Sequence, residues 1–196
     1  MEYAAFIATS LDGFIADSEG RIDWLEEANA RVPPGEDCGY NAFFATVDAL
    51  IVGRKTFEQV LRFPEWPWGT KPVFVLSATL PALPPGVPPS VQLRNVPPAA
   101  LDAECRDSGL RRAYVDGGVT IGAYLEAGFL DEITITTLPV LLGRGRALFQ
   151  AHGGKRLLEW VSSRSWPFGF VQSVYRFGNH GRADGKPLPP PRNHPH

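Results

Sequence analysis

Apolar positions along the chain fall into two kinds of pattern. Short continuous runs occur at Tyr3–Thr9, Ala49–Gly53 (Ala-Leu-Ile-Val-Gly), Pro72–Ser77 (Pro-Val-Phe-Val-Leu-Ser) and Arg112–Asp116. Runs this short suit strands covered on both faces, as in a parallel sheet. Asp131–Val140 alternates instead, with Ile133 and Ile135 on one face and Thr134 and Thr136 on the other. Leu157–Ser165 and Phe170–Phe177 flank a turn at Trp166–Gly169 and read as a closing hairpin. Between the runs the spacing is helical. Asp37–Thr46 carries Tyr40, Phe43 and Phe44; Lys55–Arg62 places Phe57, Val60 and Leu61 on one face; Thr120–Ala127 ends at Gly128, which suits a C′ position. Strands alternating with helices predict an α/β domain whose sheet is mainly parallel with an antiparallel C-terminal end.

Proline interrupts this pattern twice. Pro81–Pro98 holds seven prolines in 18 residues, which predicts loop with one short strand at Val91–Asn95. From Gly178 to His196 apolar residues almost vanish and five prolines appear, so this stretch is expected to be extended. The division expected is a domain at 1–177 and a Pro-rich polar tail at 178–196.

Composition narrows the classes. The chain has 196 residues, 44% of them hydrophobic and 20% charged, enough for a core without disulfides or metal. A net charge of −2 argues against a broad basic face for nucleic acid. Cys38 and Cys105 are isolated and fit a reducing compartment. No apolar run approaches a bilayer span, and Asp12 follows the first apolar stretch too closely for a signal peptide. The expectation is a soluble, cytoplasmic protein with no nucleic-acid or membrane partner and no metal.

Five stretches could carry chemistry. Gly53-Arg54-Lys55-Thr56 turns a strand into a helix and sets two cations against the helix's positive end. An anion docked there would explain them; two solvated basic residues would also. Asp116-Gly117-Gly118-Val119-Thr120 is a second such junction, where paired glycines admit a ligand to the backbone or simply form a tight turn. A dinucleotide would use both junctions. Leu76-Ser77-Ala78-Thr79 puts hydroxyls at a strand end, for a phosphate or ribose or merely for a polar turn. In Thr9–Ala16 a strand breaks at Asp12-Gly13 and resumes, which an Asx turn explains. Leu138–Arg146 runs from an apolar strand end into a loop rich in glycine and arginine. Walker A, zinc-deaminase and nucleophile-elbow motifs are missing.

Taken in order, Ser-Leu-Asp-Gly-Phe-Ile-Ala at 10–16, Asp-Ala-Leu-Ile-Val-Gly-Arg-Lys-Thr-Phe-Glu at 48–58, Val-Asp-Gly-Gly at 115–118 and Leu-Asp-Glu-Ile-Thr-Ile-Thr-Thr-Leu-Pro-Val-Leu-Leu-Gly-Arg-Gly at 130–145 resemble the dihydrofolate reductase superfamily. The nearer likeness is to the branch similar to the C-terminal reductase domain of riboflavin-biosynthesis deaminase-reductases. The resemblance implies a dihydrofolate-reductase-like three-layer fold with helices on both faces of the sheet. It implies NADPH, with Arg54, Lys55, Ser77 and Thr79 on the side of the 2′-phosphate and Leu76 and Gly53 beside them. Thr56, Gly117, Gly118, Val119 and Thr120 would meet the pyrophosphate, and Ala8, Ile15 and Ala16 the nicotinamide. Asp37 or Asp12 would supply a proton, and Trp24, Tyr40, Thr136 and Arg144 would border the substrate, with Asp23 near them. Family members pair through the C-terminal strands, which implies a homodimer. The preferred activity is NADPH-dependent hydride transfer to a small heterocyclic or carbonyl-type substrate. One alternative is the 5-amino-6-(5-phosphoribosylamino)uracil reductase of riboflavin biosynthesis, with Arg144 and Arg146 on a second phosphate. Another is a nucleotide-binding protein without turnover.

Overall fold

The computed structural model describes residues 1–149 and 154–178. Eight strands form one sheet: β1 (Glu2–Ser10), β3 (Ala49–Gly53), β4 (Val73–Leu76), β5 (Val91–Arg94), β6 (Arg112–Asp116), β7 (Glu132–Leu138), β9 (Leu158–Ser165) and β10 (Val171–Phe177). Their order is β5-β4-β3-β6-β1-β7-β10-β9. The first six are parallel, and β10 and β9 close the sheet antiparallel. Two short strands, β2 (Phe14–Ala16) and β8 (Arg146–Ala147), pair separately. The expected α/β fold, mainly parallel with an antiparallel C-terminal end, is the one observed.

Helices cover both faces, as strand alternation requires. Ala49 and Ile51 of β3 pack into a core with Leu101 and Cys105 of α4 (Pro98–Asp107) and Ile121, Tyr124 and Leu125 of α5 (Gly118–Glu126). Leu50 and Val52 face the other way, toward Phe57 and Val60 of α3 (Arg54–Val60) and the aromatics of α2 (Tyr40–Ala45). All four β3 side chains from Ala49 to Val52 are fully buried. Truncating Leu50 or Ile51 to Ala would cost about 2–5 kcal/mol. A third cluster joins Trp24 and Ala28 of α1 (Asp23–Asn29) to Leu138, Trp166 and Phe170.

Several local expectations shift. α2 begins at Tyr40, because Asp37 takes the N–H groups of Gly39 (2.8 Å) and Asn41 (2.9 Å) and Gly39 sits at φ +83°. Leu61 lies just past the end of α3 and is exposed, not aligned with Phe57 and Val60. The proline stretch ends in a helix, since Pro97 and Pro98 occupy its N-cap and first position, where no N–H is needed. α1 was not foreseen. Trp166 and Phe170 are buried within their own chain, with Phe168 against Phe170 at 4.9 Å. Trp160, by contrast, is exposed, at 62%. Among the described residues no helix is long and apolar enough to cross a membrane. The tail from residue 179 lies outside the described residues, as does His152.

Candidate active site

Parallel strands bring the C-terminal ends of β3, β4 and β6 level. Gly53 is in register with Leu76, and Val52 with Asp116. The β3-to-α3 and β6-to-α5 turns are therefore neighbours. A Cβ on Gly117 would run into the Thr56 hydroxyl, and one on Gly53 would stand 2.8 Å from Thr120 Oγ1. Neither Gly53 nor Gly117 offers a side-chain cap, so the first N–H groups of both helices lack a capping partner. Val119, in the first turn of α5, is 77% exposed. Ile15 of β2 lies over the start of α5, its Cδ1 2.7 Å from where a Gly118 Cβ would be, and Ala16 beside it is buried.

Arg54 reaches sideways from α3. Its Nη1 donates to Thr79 Oγ1 at 3.0 Å, and Ser77 Oγ accepts the N–H groups of Thr79 (3.1 Å) and Leu80 (2.9 Å). Arg54, Ser77 and Thr79 thus meet at one corner, with Lys55 alongside. Glu58, which the sequence reading passed over, binds both cations: Arg54 Nε at 2.6 Å and Lys55 Nζ at 3.3 Å. Its carboxyl is held below the usual range by Arg54 first.

Asp116, which the sequence offers only as the head of the Gly-Gly junction, has an environment of its own. It ends β6, half-buried, and accepts the Gly117 N–H at 2.8 Å. Desolvation pushes its carboxyl up to about 6, against the lowering effect of Gly117 and Tyr114. Tyr114 donates to the Phe6 carbonyl at 2.8 Å, and Tyr40, edge-on to Tyr114 at 6.5 Å, completes an aromatic wall. The available signal was an acid directly before Gly-Gly at a strand end; the missing one was its burial.

The remaining candidates divide. Ala8 and Trp24 share the third cluster, and Thr136 pairs in register with Ala8. Thr136 is buried and takes a 2.8 Å hydrogen bond from Gln172, which also donates to the Cys38 carbonyl at 2.9 Å. Trp24 Nε1 is buried with no partner among the described residues. Asp12 stands apart from these. It accepts Ser10 Oγ at 2.6 Å and the N–H groups of Leu142 (3.2 Å) and Gly143 (2.7 Å), clamping one loop to another. The Ser10 bond leads in holding its carboxyl below the ordinary range. Asp37 is exposed and engaged in starting α2. Arg144 is exposed on the loop that Asp12 holds, and the Arg146 guanidinium lies against Gly20.

Comparison with known proteins matches this architecture. The family model of the RibD C-terminal domain covers residues 91–171. The Bacillus subtilis (strain 168) protein YwjB, which is uncharacterized, is 35% identical over 151 residues, 74% of this chain and 80% of YwjB. The crystal structure of a candidate riboflavin biosynthesis protein from Shewanella sp. PV-4 superposes with a TM-score of 0.84 at 38% identity, over 90% of this chain and 99% of that one. A pyrimidine reductase-like protein from Corynebacterium diphtheriae shares the fold at 15% identity, with a TM-score of 0.63 over 90% and 91% of the two chains. On this identity and coverage, the chain belongs to the RibD C-terminal domain family.

Proposed function

We propose that the protein is an NADPH-dependent reductase acting on a small heterocyclic or carbonyl-type substrate. One observation carries the reading: two uncapped helix starts lie side by side at the C-terminal ends of the neighbouring central strands β3 and β6, with Arg54, Lys55, Ser77 and Thr79 at their flank. Free N–H groups, hydroxyls and cations are the donors that a dinucleotide's phosphates require. The glycines fit it too, although Gly53 and Gly117 are also needed for the chain's own packing. In this reading Arg54, Lys55, Ser77 and Thr79 hold the 2′-phosphate, while Thr56, Gly118, Val119 and Thr120 hold the pyrophosphate. Ile15 and Ala16 cover the ring with Ala8. When bound, NADPH supplies the hydride.

The acceptor also needs a proton, and we assign its donor to Asp116, whose carboxyl ends β6 beside Gly117. A carboxyl near 6 remains partly protonated close to neutrality, and a positioned acid contributes about 10²–10⁴ in rate. We prefer Asp116 to Asp12, whose carboxyl is held below the ordinary range, and to Asp37, whose carboxylate accepts the N–H groups that start α2. Tyr40, Trp24 and Thr136 would border the substrate. The names of the Shewanella and Corynebacterium relatives lean toward a pyrimidine of riboflavin synthesis, with Arg144 meeting a substrate phosphate.

Calorimetry with NADPH and NADH, followed by a cofactor-oxidation screen over pterins, pyrimidine ribityl phosphates, quinones and aldehydes, tests the reading. Expected are NADPH binding and oxidation with at least one of these. Binding without any oxidation would instead describe a nucleotide-binding protein without turnover. No binding sinks the reading altogether.

A further inference from the structure

We infer that Glu58 competes with the ligand's phosphate for Arg54 and Lys55, and so sets how far the protein prefers NADPH over NADH. The inference rests on the nucleotide reading above. Its geometry is specific. One carboxylate oxygen takes Arg54 Nε at 2.6 Å and the other faces Lys55 Nζ at 3.3 Å, the cations lying four and three residues before it on α3. The two cations offered to a 2′-phosphate are therefore already paired.

Helix energetics do not call for this arrangement. Cations in the first turn and a carboxylate in the last both run against the backbone dipole, and Arg before Glu is the weaker order for such a pair. The side chains are 39%, 73% and 33% exposed, so the pairs contribute little to the fold. Their consequence falls on the ligand. A phosphate dianion must draw Arg54 and Lys55 away from Glu58 and then sit beside its negative charge. The neutral 2′-hydroxyl of NADH leaves both pairs in place. Arg54 Nη1, held by Thr79 and not by Glu58, is the donor that a phosphate gains first. NADPH thus pays a cost at this corner that NADH does not.

The test is calorimetry of NADPH and NADH with wild type, Glu58→Gln and Glu58→Ala, each at two salt concentrations, with thermal melts as a check on folding. Both variants should bind NADPH about three- to tenfold more tightly than wild type, with NADH within about twofold. The salt dependence of NADPH affinity should steepen, because two unpaired cations now meet the phosphate. Unchanged or weaker NADPH binding in the variants overturns the inference and makes Glu58 a support that orients Arg54. An equal gain for both cofactors overturns it as well. If wild type binds neither cofactor, the nucleotide reading itself fails.

Discussion

Gly53 and Thr120 lock two strand-to-helix turns together: a Cβ on Gly53 would stand 2.8 Å from Thr120 Oγ1. Gly53 has φ −78°, so space rather than conformation demands glycine there. Gly117 differs, because φ +90° is a backbone region that side chains rarely adopt. The two glycines of the Gly117-Gly118 pair are therefore expected to behave differently. Gly117→Ala should cost about 1–3 kcal/mol of folding stability and lower Tm by roughly 3–10 °C, whatever its effect on ligand. Gly118→Ala crowds the movable tip of Ile15 and meets the Ala147 and Leu148 carbonyls at ordinary contact distance. Its Tm should hold within about 2 °C while NADPH affinity falls about tenfold. Thermal melts and calorimetry on the two variants check this, and unchanged affinity in Gly118→Ala would leave the pair as a turn alone.

Arg54 donates to Thr79 across the gap between α3 and the end of β4. Arg54→Ala should weaken NADPH about tenfold or more and NADH by no more than about twofold, since only NADPH carries the charged 2′ group. Thr79→Ala should give a smaller effect in the same direction. Equal losses for both cofactors, read by calorimetry, would remove the 2′-phosphate from this corner.

How much of this was legible in the sequence depends on whether an element's role is local. Ala49–Gly53 and Arg112–Asp116 were readable to the residue because burial on both faces leaves an apolar run, continuous in Ala49–Val52 and bracketed by charges at Ala113–Val115. The Gly128 turn after α5 was readable because one residue carries the signal, and it has φ +73°. α1 was not, since only Trp24 and Ala28 of its seven residues are buried and its first turn has no side-chain cap. The corner at Arg54 was legible in its residues but not in its state, because the pairing with Glu58 is a side-chain choice. Asp116 was visible as a letter in Asp-Gly-Gly, yet its raised pKa comes from desolvation by the assembled sheet and its aromatic neighbours. Asp12 stood out in an Asp-Gly break and Asp37 through the family resemblance, and both accept backbone N–H groups.

β9 ends the sheet, and among the described residues nothing pairs with its outer side. Trp160 within it is 62% exposed, and Leu157 just before it 75%. An open apolar edge is a template for association. Light scattering should find a homodimer, and Trp160→Glu should dissociate it without lowering the melting temperature appreciably. A dimer that persists in a chain ending at Phe177 assigns the contact to the strands; one lost on that truncation assigns it to the tail. A monomeric full chain would contradict the expectation.

Asp116 makes a prediction in pH for both stability and rate. Its folded pKa of about 6 lies above the roughly 3.9 of an unfolded aspartate. Between those values the folded chain binds the extra proton. The contribution of this group to stability is therefore full below about pH 4 and is lost as pH rises through about 6. Asp116→Asn carries no such penalty. It should match wild type near pH 4 and exceed it at pH 8 by on the order of 1–3 kcal/mol, read by denaturant melts. The rate should move the opposite way. With a protonated Asp116 as donor, wild-type kcat/KM falls as pH rises through about 6, and the Asn variant loses that limb together with about 10²–10⁴ in rate. A variant that gains stability at pH 8 but keeps the wild-type rate and profile would show a desolvated carboxyl with no part in the chemistry. The proton would then come from solvent or from the substrate itself.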